Sequence, residues 1–172
     1  MKSLVIREIG LLGTIPEEIG HLSKLIYLDL SNSFLEGQVP LLIDNLRQLN
    51  HLDISLNFII GSILPELWSL KSLIFLDPSY NRFKSEIRSS LGNLKQLEVL
   101  DISNNYIQGS IIPLELGFLK NLTRLDLSNK RFKGKIPSSL RNLKQLKKLD
   151  ISHNNIQGSI TLDLKFLKNI TN

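Results

Sequence analysis

Leucine and isoleucine recur along this chain at fixed intervals, and the pattern that they form is itself repeated. Blocks of the pattern L-x-x-L-x-x-L-x-L-x-x-N-x-L-x-G-x-I-P follow one another in steps of 24 residues, with one step of 25. Repetition with a period of about 20–50 residues is typical of solenoids and related arrays. We therefore predict a single repeat domain, residues 1–172, with coils at 1–21 (partial), 22–45, 46–69, 70–93, 94–118, 119–142, 143–166 and 167–172 (truncated).

Each block contains one segment that predicts a strand. Tyr27-Leu28-Asp29-Leu30-Ser31 alternates apolar and polar residues, as a strand with one buried face does. Gly and Pro later in the block favour turns and an irregular return path. A single coil cannot bury its leucine face alone, so neighbouring coils must stack. We expect parallel strands near residues 26–30, 50–54, 74–78, 98–102, 123–127 and 147–151.

A polar position follows each predicted strand. It is often asparagine, whose amide both donates and accepts hydrogen bonds and so satisfies backbone groups where the chain bends. Ser33 and Lys130 stand at equivalent positions, and a lysine cannot accept a hydrogen bond, so we expect interruptions there. Pro78, which has no N–H, should remove one hydrogen bond from a central strand. The predicted structural asparagine ladder consists of Asn57, Asn81, Asn105 and Asn154.

These blocks resemble the 24-residue class of the leucine-rich repeat family found in plant extracellular receptors. The resemblance is carried by LKNLTRLDLSNKRFKGKIP at residues 119–137 and by LDIS-x-N-x-I-x-GSI in blocks 46–69 and 94–118. It implies an α/β-type repeat solenoid, a right-handed leucine-rich repeat superhelix with a parallel β-sheet on the concave face and an irregular or 3-10 convex side.

The same resemblance implies a function. It points to the ligand-binding ectodomain of a receptor-like kinase or receptor-like protein in signalling or defence. Its partners would be a peptide or protein ligand and a co-receptor, and its location the extracellular face of the plasma membrane. Both the partners and the location are expectations from the family alone.

Strand positions that point away from the leucine core form columns across the coils, and function is expected in the columns that vary. Exposed aromatic side chains and arginines are typical of contact surfaces. In the N-terminal coils the residues of these columns are aromatic and apolar, whereas in the C-terminal coils they are basic. An ordinary solvated surface is the alternative that these residues leave open. The candidate ligand-binding residues on the concave face are Tyr27, His51, Phe75, Tyr80, Tyr106, Arg124, Arg131, Lys148 and His153.

Two columns do not vary, since one is aspartate and the other serine in every coil. A column that recurs in each coil is typical of a structural element, whereas catalysis needs one distinctive place. We therefore predict no catalytic residue, no enzyme activity, no metal site and no cofactor, with a calcium ladder as the lesser alternative. The columns are Asp29, Asp53, Asp77, Asp101, Asp126 and Asp150, and Ser31, Ser55, Ser79, Ser103, Ser128 and Ser152.

Composition narrows the function classes further. The chain has no Cys, which excludes disulfides, thiolate metal sites and a cysteine nucleophile. Residues 119–172 carry 12 Lys and Arg against 3 Asp and Glu, whereas residues 1–118 carry 9 against 13. A basic half attracts acidic peptides or anionic polysaccharides. Because no nucleic-acid-binding module is recognised, we predict no nucleic-acid partner.

Targeting and terminal features are sparse. Apolar runs such as Phe58-Ile59-Ile60 are too short for a membrane span or a secretory signal. N-glycosylation sequons at Asn121 and Asn169 fit a secreted surface, or are by-products of the LKNLT/LKNIT repeat.

Solenoid ends are normally capped, and the paired cysteines that the resemblance implies for caps are missing. We expect exposed, self-associating apolar ends at Leu4, Ile6 and Leu11 and at Leu146, Leu149 and Ile151.

Two alternative functions stay open. The same coil class includes plant inhibitors of fungal pectin-degrading enzymes, so the chain fits a polygalacturonase-inhibitor-like regulator, whose acidic target the basic half would suit. The departures at Pro78 and Lys130, together with Ser85 and Arg88 in place of the usual Gly and Pro, are either tolerated variation or decay. In the second case the chain is a truncated product without independent function.

Overall fold

The computed structural model describes residues 1–62, 67–84, 87, 89–107 and 111–157. The predicted sequon at Asn169 and the departures at Ser85 and Arg88 lie outside these residues. The described strands are β1 Ser3–Val5, β2 Leu12–Thr14, β3 Tyr27–Asp29, β4 Phe34–Glu36, β5 His51–Asp53, β6 Ile60–Gly61, β7 Phe75–Asp77, β8 Arg82–Phe83, β9 Val99–Asp101, β10 Arg124–Asp126, β11 Lys133–Gly134, β12 Lys148–Asp150 and β13 Asn155–Ile156. The 3-10 helices are Glu17–His21, Leu41–Asn45, Leu67–Ser69, Ser89–Asn93, Leu114–Phe118 and Ser138–Asn142.

One parallel sheet runs through the described part of the chain, in the order β1-β3-β5-β7-β9-β10-β12. Each strand pairs with its equivalent in the next coil, as Leu28 does with Leu52 and Leu52 with Leu76. Together with the 3-10 helices of the return path, this sheet confirms the predicted parallel-stranded solenoid. The strands have three residues rather than five, and β1 lies in the partial first coil, where none was predicted.

Small lateral sheets were not predicted. Outside the main sheet, β2 pairs with β4, β6 with β8 and β11 with β13, all in parallel. These strands have two or three residues, which is too short for an alternation of apolar and polar residues to be visible. They bind neighbouring coils together a second time, after the chain has left the main sheet.

The core is a continuous leucine stack. Leu28, Leu52 and Leu76 are fully buried beneath the main sheet, and Trp68 and Phe83 fill positions on the return path. Burial of one such side chain contributes about 1.5–3 kcal/mol. Because the leucines of one coil are covered by those of its neighbours, the stability of each coil depends on the coils beside it.

The return path is held by short 3-10 helices that pack closely against one another. Four of them follow a proline, whose fixed φ and missing N–H suit the start of a helix. A Cβ atom on Gly117 would collide with the carbonyl oxygen of Ser139, and one on Gly20 with that of Leu42. Glycine is therefore required where these helices meet. The prolines are Pro16, Pro40, Pro113 and Pro137.

Pro78 interrupts the main sheet as expected. In other coils the residue at this position donates its N–H to the next strand, as Leu30 does to Asp53 at 2.9 Å and Ile54 to Asp77 at 3.0 Å. Pro78 has no N–H, and β7 pairs with β9 only through two residue pairs instead of three. The sheet nevertheless continues through β9, because the other hydrogen bonds keep the register.

The expectation of exposed apolar ends is only partly right. Leu11 is 36% exposed, but Leu4 and Ile6 are partly buried against the core. Leu146 contradicts the expectation, because it is 1% exposed. Leu149 and Ile151 are likewise partly buried. The physical reason is that an inward-pointing residue packs on the leucines of the neighbouring described coil.

Candidate functional site

The outer face of the main sheet begins with a stack of three rings, the aromatic stack of Tyr27, His51 and Phe75. The strand register places these residues side by side on β3, β5 and β7. The ring centroids lie 3.9 Å apart for Tyr27 and His51 and 4.2 Å apart for His51 and Phe75, with the rings nearly parallel. Burial lowers the pKa of His51, although Asp53 and Asp29 oppose the shift. The stack therefore behaves as one uncharged, half-buried surface at neutral pH.

The same column becomes basic on the later strands. After Val99 come Arg124 and Lys148, in register on β10 and β12. The guanidinium of Arg124 lies 3.3 Å from the carboxylate of Asp101, so part of its charge is balanced within the protein. Lys148 is exposed. The outer face therefore changes from aromatic at one end to cationic at the other.

The aspartates of the column accept hydrogen bonds from the backbone and the hydroxyl of the serine two residues later. In Asp53, Oδ1 accepts hydrogen bonds from the N–H of Ser55 at 2.9 Å and from its hydroxyl at 2.7 Å. Burial raises the pKa of Asp77 to about 6, against hydrogen bonds from Ser79 that lower it, and the neighbouring aspartates raise it further. In the part of the chain that is described, no three His, Cys, Asp or Glu side chains are placed to hold a metal ion. The column forms the turn that ends each strand.

The residue after each serine turns the chain out of the sheet with a positive φ. This residue is asparagine in three coils, which tolerates the left-handed region better than most residues. Leu56 and Tyr80 adopt the same conformation, with φ of 54° and 52°, although their bulk makes it costly. They are 48% and 54% exposed. Two large side chains thus project into solvent from the same coils as His51 and Phe75.

A second aromatic cluster lies beside the main sheet. The rings of Phe34 and Phe58 are stacked with centroids 6.1 Å apart, and the guanidinium of Arg82 lies 4.6 Å above the Phe58 ring. Both phenylalanines are exposed. The candidate residues chosen from the sequence did not include this cluster, although the repeat places all three side chains in one column.

Three candidate residues meet at a different place. Tyr106, Arg131 and His153 line a cavity of about 490 Å³, which we call the basic cavity. Among its described lining residues none carries a carboxylate. The candidate residues therefore divide between the outer face of the sheet and this cavity, a division that the sequence did not predict.

The asparagine ladder is formed by hydrogen bonds between coils. In Asn57, Oδ1 accepts the N–H of Leu35 at 3.0 Å, and Nδ2 donates to the carbonyl of Leu30 at 2.9 Å. Lys130 occupies the same position in a later coil. Its Nζ is buried without a hydrogen-bond partner, and burial lowers its pKa to about 7. The corresponding bonds are repeated at Asn81, Asn105 and Asn154.

The described sequon residue, Asn121, is half-buried and not free of contacts. Its Nδ2 donates to the carbonyl oxygen of Lys95 at 3.0 Å, and the hydroxyl of Thr123 donates to that of Glu98 at 3.1 Å. Both bonds join this coil to the preceding one. The sequon therefore has a structural use that is independent of glycosylation.

Comparison with known proteins places the repeats in context. Two family models described as leucine rich repeat match residues 95–156 and residues 24–46. Receptor-like protein 41 of Arabidopsis thaliana is 48% identical over 50 residues, which are 29% of this chain and 6% of that protein. No helix in the described ranges combines the length and apolar character needed to cross a membrane.

The whole described solenoid is similar to plant receptor ectodomains. The plant peptide hormone receptor RGFR1 in complex with RGF2 superposes with a TM-score of 0.93 and 34% identity, over 98% of this chain and 27% of that chain. The Arabidopsis receptor kinase HAESA, in complex with the peptide hormone IDA and the co-receptor SERK1, gives a TM-score of 0.82 and 34% identity, over 99% and 33%. The chain thus spans a third or less of each of these proteins.

Proposed function

Because the chain belongs to the leucine-rich repeat family, we propose that it is the partner-binding part of a plant cell-surface receptor-like kinase or receptor-like protein. It binds a peptide or protein segment by surface complementarity, without catalysis. Support comes from the similarity to RGFR1 and HAESA, each solved with a peptide hormone. The ligand lies across the outer face of the main sheet.

The observation that carries this proposal is the aromatic stack. Tyr27, His51 and Phe75 hold one another in place, so a ligand that packs on them orders few additional side chains. Each 100 Å² of apolar surface that such a ligand covers contributes about 2.5 kcal/mol. The exposed side chains of Leu56 and Tyr80 extend this surface beyond the strands.

The polarity of the face suggests the polarity of the ligand. The aromatic stack lies on β3, β5 and β7, whereas Arg124 and Lys148 lie on β10 and β12. A ligand with apolar side chains at one end and acidic ones at the other would complement both regions. Arg131 and His153, beside the basic cavity, would strengthen the preference for an acidic end.

The remaining partners and the location follow from the same reasoning. We place the chain at the extracellular face of the plasma membrane and give it a co-receptor as a second partner, because HAESA was solved with SERK1. Glycosylation at Asn121 fits this location. An N-linked sugar leaves one N–H on Nδ2, which is enough for the hydrogen bond to Lys95.

A second candidate function is regulation of a polygalacturonase-like enzyme. The observation that favours it is the cluster of exposed cations Arg131, Lys133 and Lys135 in one coil, which would attract an acidic protein surface. Inhibition of polygalacturonase by the purified chain, relieved by high salt, supports this alternative. Absence of inhibition at micromolar concentrations removes it.

The proposed function is tested by selection of ligands from a phage-displayed library of random twelve-residue peptides. We expect the selected peptides to bind Phe75→Ala at least tenfold more weakly than the unmodified chain, as for a hot-spot residue. Phe118→Ala, which removes an exposed phenylalanine from a 3-10 helix, is the matched control and should leave affinity unchanged. Peptides that are insensitive to Phe75→Ala and sensitive to Phe118→Ala contradict the proposal.

A further inference from the structure

The basic cavity lies where the asparagine ladder is broken. Lys130 stands at the ladder position, and Lys130, Arg131 and His153 line the cavity together with Asn104 and Asn129. No described lining residue is acidic, whereas Lys130 and Arg131 are basic, so the cavity favours a negatively charged group. Its volume of about 490 Å³ is enough for a side chain of a bound peptide.

Lys130 is a buried cation that has no counter-ion in contact. It is 4% exposed, and its Nζ has no hydrogen-bond partner. Asp101 and Asp126 act on it only through their charge, because their carboxylates are hydrogen-bonded elsewhere. Asp101 accepts from Ser103 and Arg124, and Asp126 accepts from Ser128. A buried ammonium group in this state is stabilised by an anion that enters the cavity.

A hydrogen-bond donor is left over at the same place. In four other coils the residue equivalent to Ile107 donates its N–H to the side-chain oxygen of a ladder asparagine. Lys130 has no acceptor to offer Ile107, which also lines the cavity. The described residues supply no other acceptor for this N–H. This N–H therefore lacks an acceptor, which one of the two oxygens of a carboxylate would supply. The equivalents of Ile107 are Leu35, Ile59, Phe83 and Phe132.

We propose that the basic cavity binds a carboxylate side chain of an acidic peptide ligand, with Lys130 as its ion-pair partner. One carboxylate oxygen accepts from Nζ of Lys130, which turns from its buried position towards the cavity, and the other replaces the missing asparagine oxygen for Ile107. Arg131 and His153, both exposed, attract the acidic residue to the cavity. This inference rests on the proposed peptide-binding function and specifies one position of the ligand.

Proton uptake accompanies such binding. Burial lowers the pKa of Lys130 to about 7 in the free protein, and a bound carboxylate favours the charged form and raises it. Affinity should therefore fall as the pH rises from about 7 towards 9. The other ionisable groups around Lys130 are Asp101 and Asp126, which act on its charge, and Arg131 and His153, which line the same cavity. Since His153 lines the same cavity, the measurement is repeated in the His153→Gln variant.

The test uses the full chain labelled with ¹⁵N and two capped probe peptides, Ac-Gly-Glu-Gly-Glu-Gly-NH₂ and its glutamine counterpart. We expect the glutamate peptide to shift the amide resonances of Ile107, Lys130 and Arg131 and the glutamine peptide to leave them in place. Inorganic phosphate is titrated separately. If phosphate shifts these resonances and the glutamate peptide does not, the carboxylate site is overturned.

Two matched variants identify the role of Lys130. Lys130→Asn restores a ladder asparagine and is not expected to unfold, yet it should bind the glutamate peptide at least about tenfold more weakly, with no pH dependence above 7. Lys120→Asn removes an exposed lysine of the same coil and should bind normally. Equal weakening in both variants shows attraction by net charge alone and overturns the proposal. Peptides that still depend on Phe75 would in that case leave the proposed function standing.

Discussion

The side-chain oxygen of Asn57 accepts the backbone N–H of Leu35 at 3.0 Å, across 22 residues of chain. This bond joins two coils at the point where each leaves the main sheet, and Asn81 repeats it for Ile59 at 2.9 Å. Neighbouring coils are therefore connected both by the strand register and by the ladder. The consequences of the ladder, and of its interruption at Lys130, can be measured.

Removal of one ladder asparagine should be strongly destabilising. In Asn81→Ala the N–H of Ile59 loses its acceptor and the carbonyl of Ile54 loses a donor at 2.8 Å. Because these groups are buried, we expect the free energy of unfolding to fall by about 2–4 kcal/mol. Urea denaturation followed by circular dichroism measures it. Asn155→Ala, an exposed asparagine on β13, should change stability by less than about 0.5 kcal/mol.

Restoration of the ladder should be stabilising. Lys130→Asn removes a buried cation without a partner and gives Ile107 an acceptor. We expect the free energy of unfolding at pH 7 to rise by about 1–3 kcal/mol. Lys135→Asn makes the same chemical change on the surface and is expected to have no measurable effect. A loss of stability in Lys130→Asn would show that the lysine packs better than the structure indicates.

The same lysine predicts a pH dependence of stability. The folded-state pKa of Lys130 is lowered to about 7 from its usual value near 10.5, so the unfolded chain binds more protons between these values. Stability should therefore rise as the pH increases from about 7 to 10, and this gain should be lost when the pH is lowered to 7 again. The Lys130→Asn variant lacks this group. The difference in urea midpoint between it and the unmodified chain should shrink as the pH rises through this window.

Asp77 leads to the opposite prediction, that its contribution to stability decreases as the pH rises. Its folded-state pKa is raised to about 6, chiefly by burial, so the folded chain binds more protons between pH 3.8 and 6. Stability from this group is lost as the pH rises through this window. At pH 7.5 we expect the free energy of unfolding of Asp77→Asn to exceed that of the unmodified chain by about 1–3 kcal/mol. Near pH 4 the two chains should be equally stable. Urea denaturation at both pH values measures the difference.

The aspartate at the far end of the same column supplies the control. Hydrogen bonds from Ser152 lower the pKa of Asp150, which is less deeply buried than Asp77, so its charged form is favoured in the folded chain. Asp150→Asn should therefore reduce stability at neutral pH, and the loss should disappear as the pH falls below the usual aspartate pKa. Identical pH profiles for Asp77→Asn and Asp150→Asn would contradict the assignment of burial as the cause.

The 24-residue period was enough to predict the solenoid and the approximate place of each strand. The reason is that leucines such as Leu28 and Leu52 must face one core, and only stacking in register buries them all. The ladder of asparagines was visible for the same reason. The two-residue strands β6 and β8 were not, because a pair of residues has no periodicity to detect.

The candidate site was predicted less completely. The column that holds Tyr27 and His51 was evident, but the stacking of their rings depends on side-chain rotamers that no sequence pattern encodes. Lys130 was identified only as a break in the ladder, because a lysine is normally solvated. Its position in the repeat was the one signal that it would be buried. The cavity that it lines joins residues of four coils and could not be recognised one coil at a time.

Photo-cross-linking tests most directly whether the outer face of the main sheet binds the ligand. p-Benzoylphenylalanine is introduced in place of Phe75, in the aromatic stack, or in place of Phe118, on a 3-10 helix, and each protein is irradiated with a phage-selected peptide. We predict a covalent adduct from the position of Phe75 and none from that of Phe118. An adduct from the position of Phe118 alone would contradict the account.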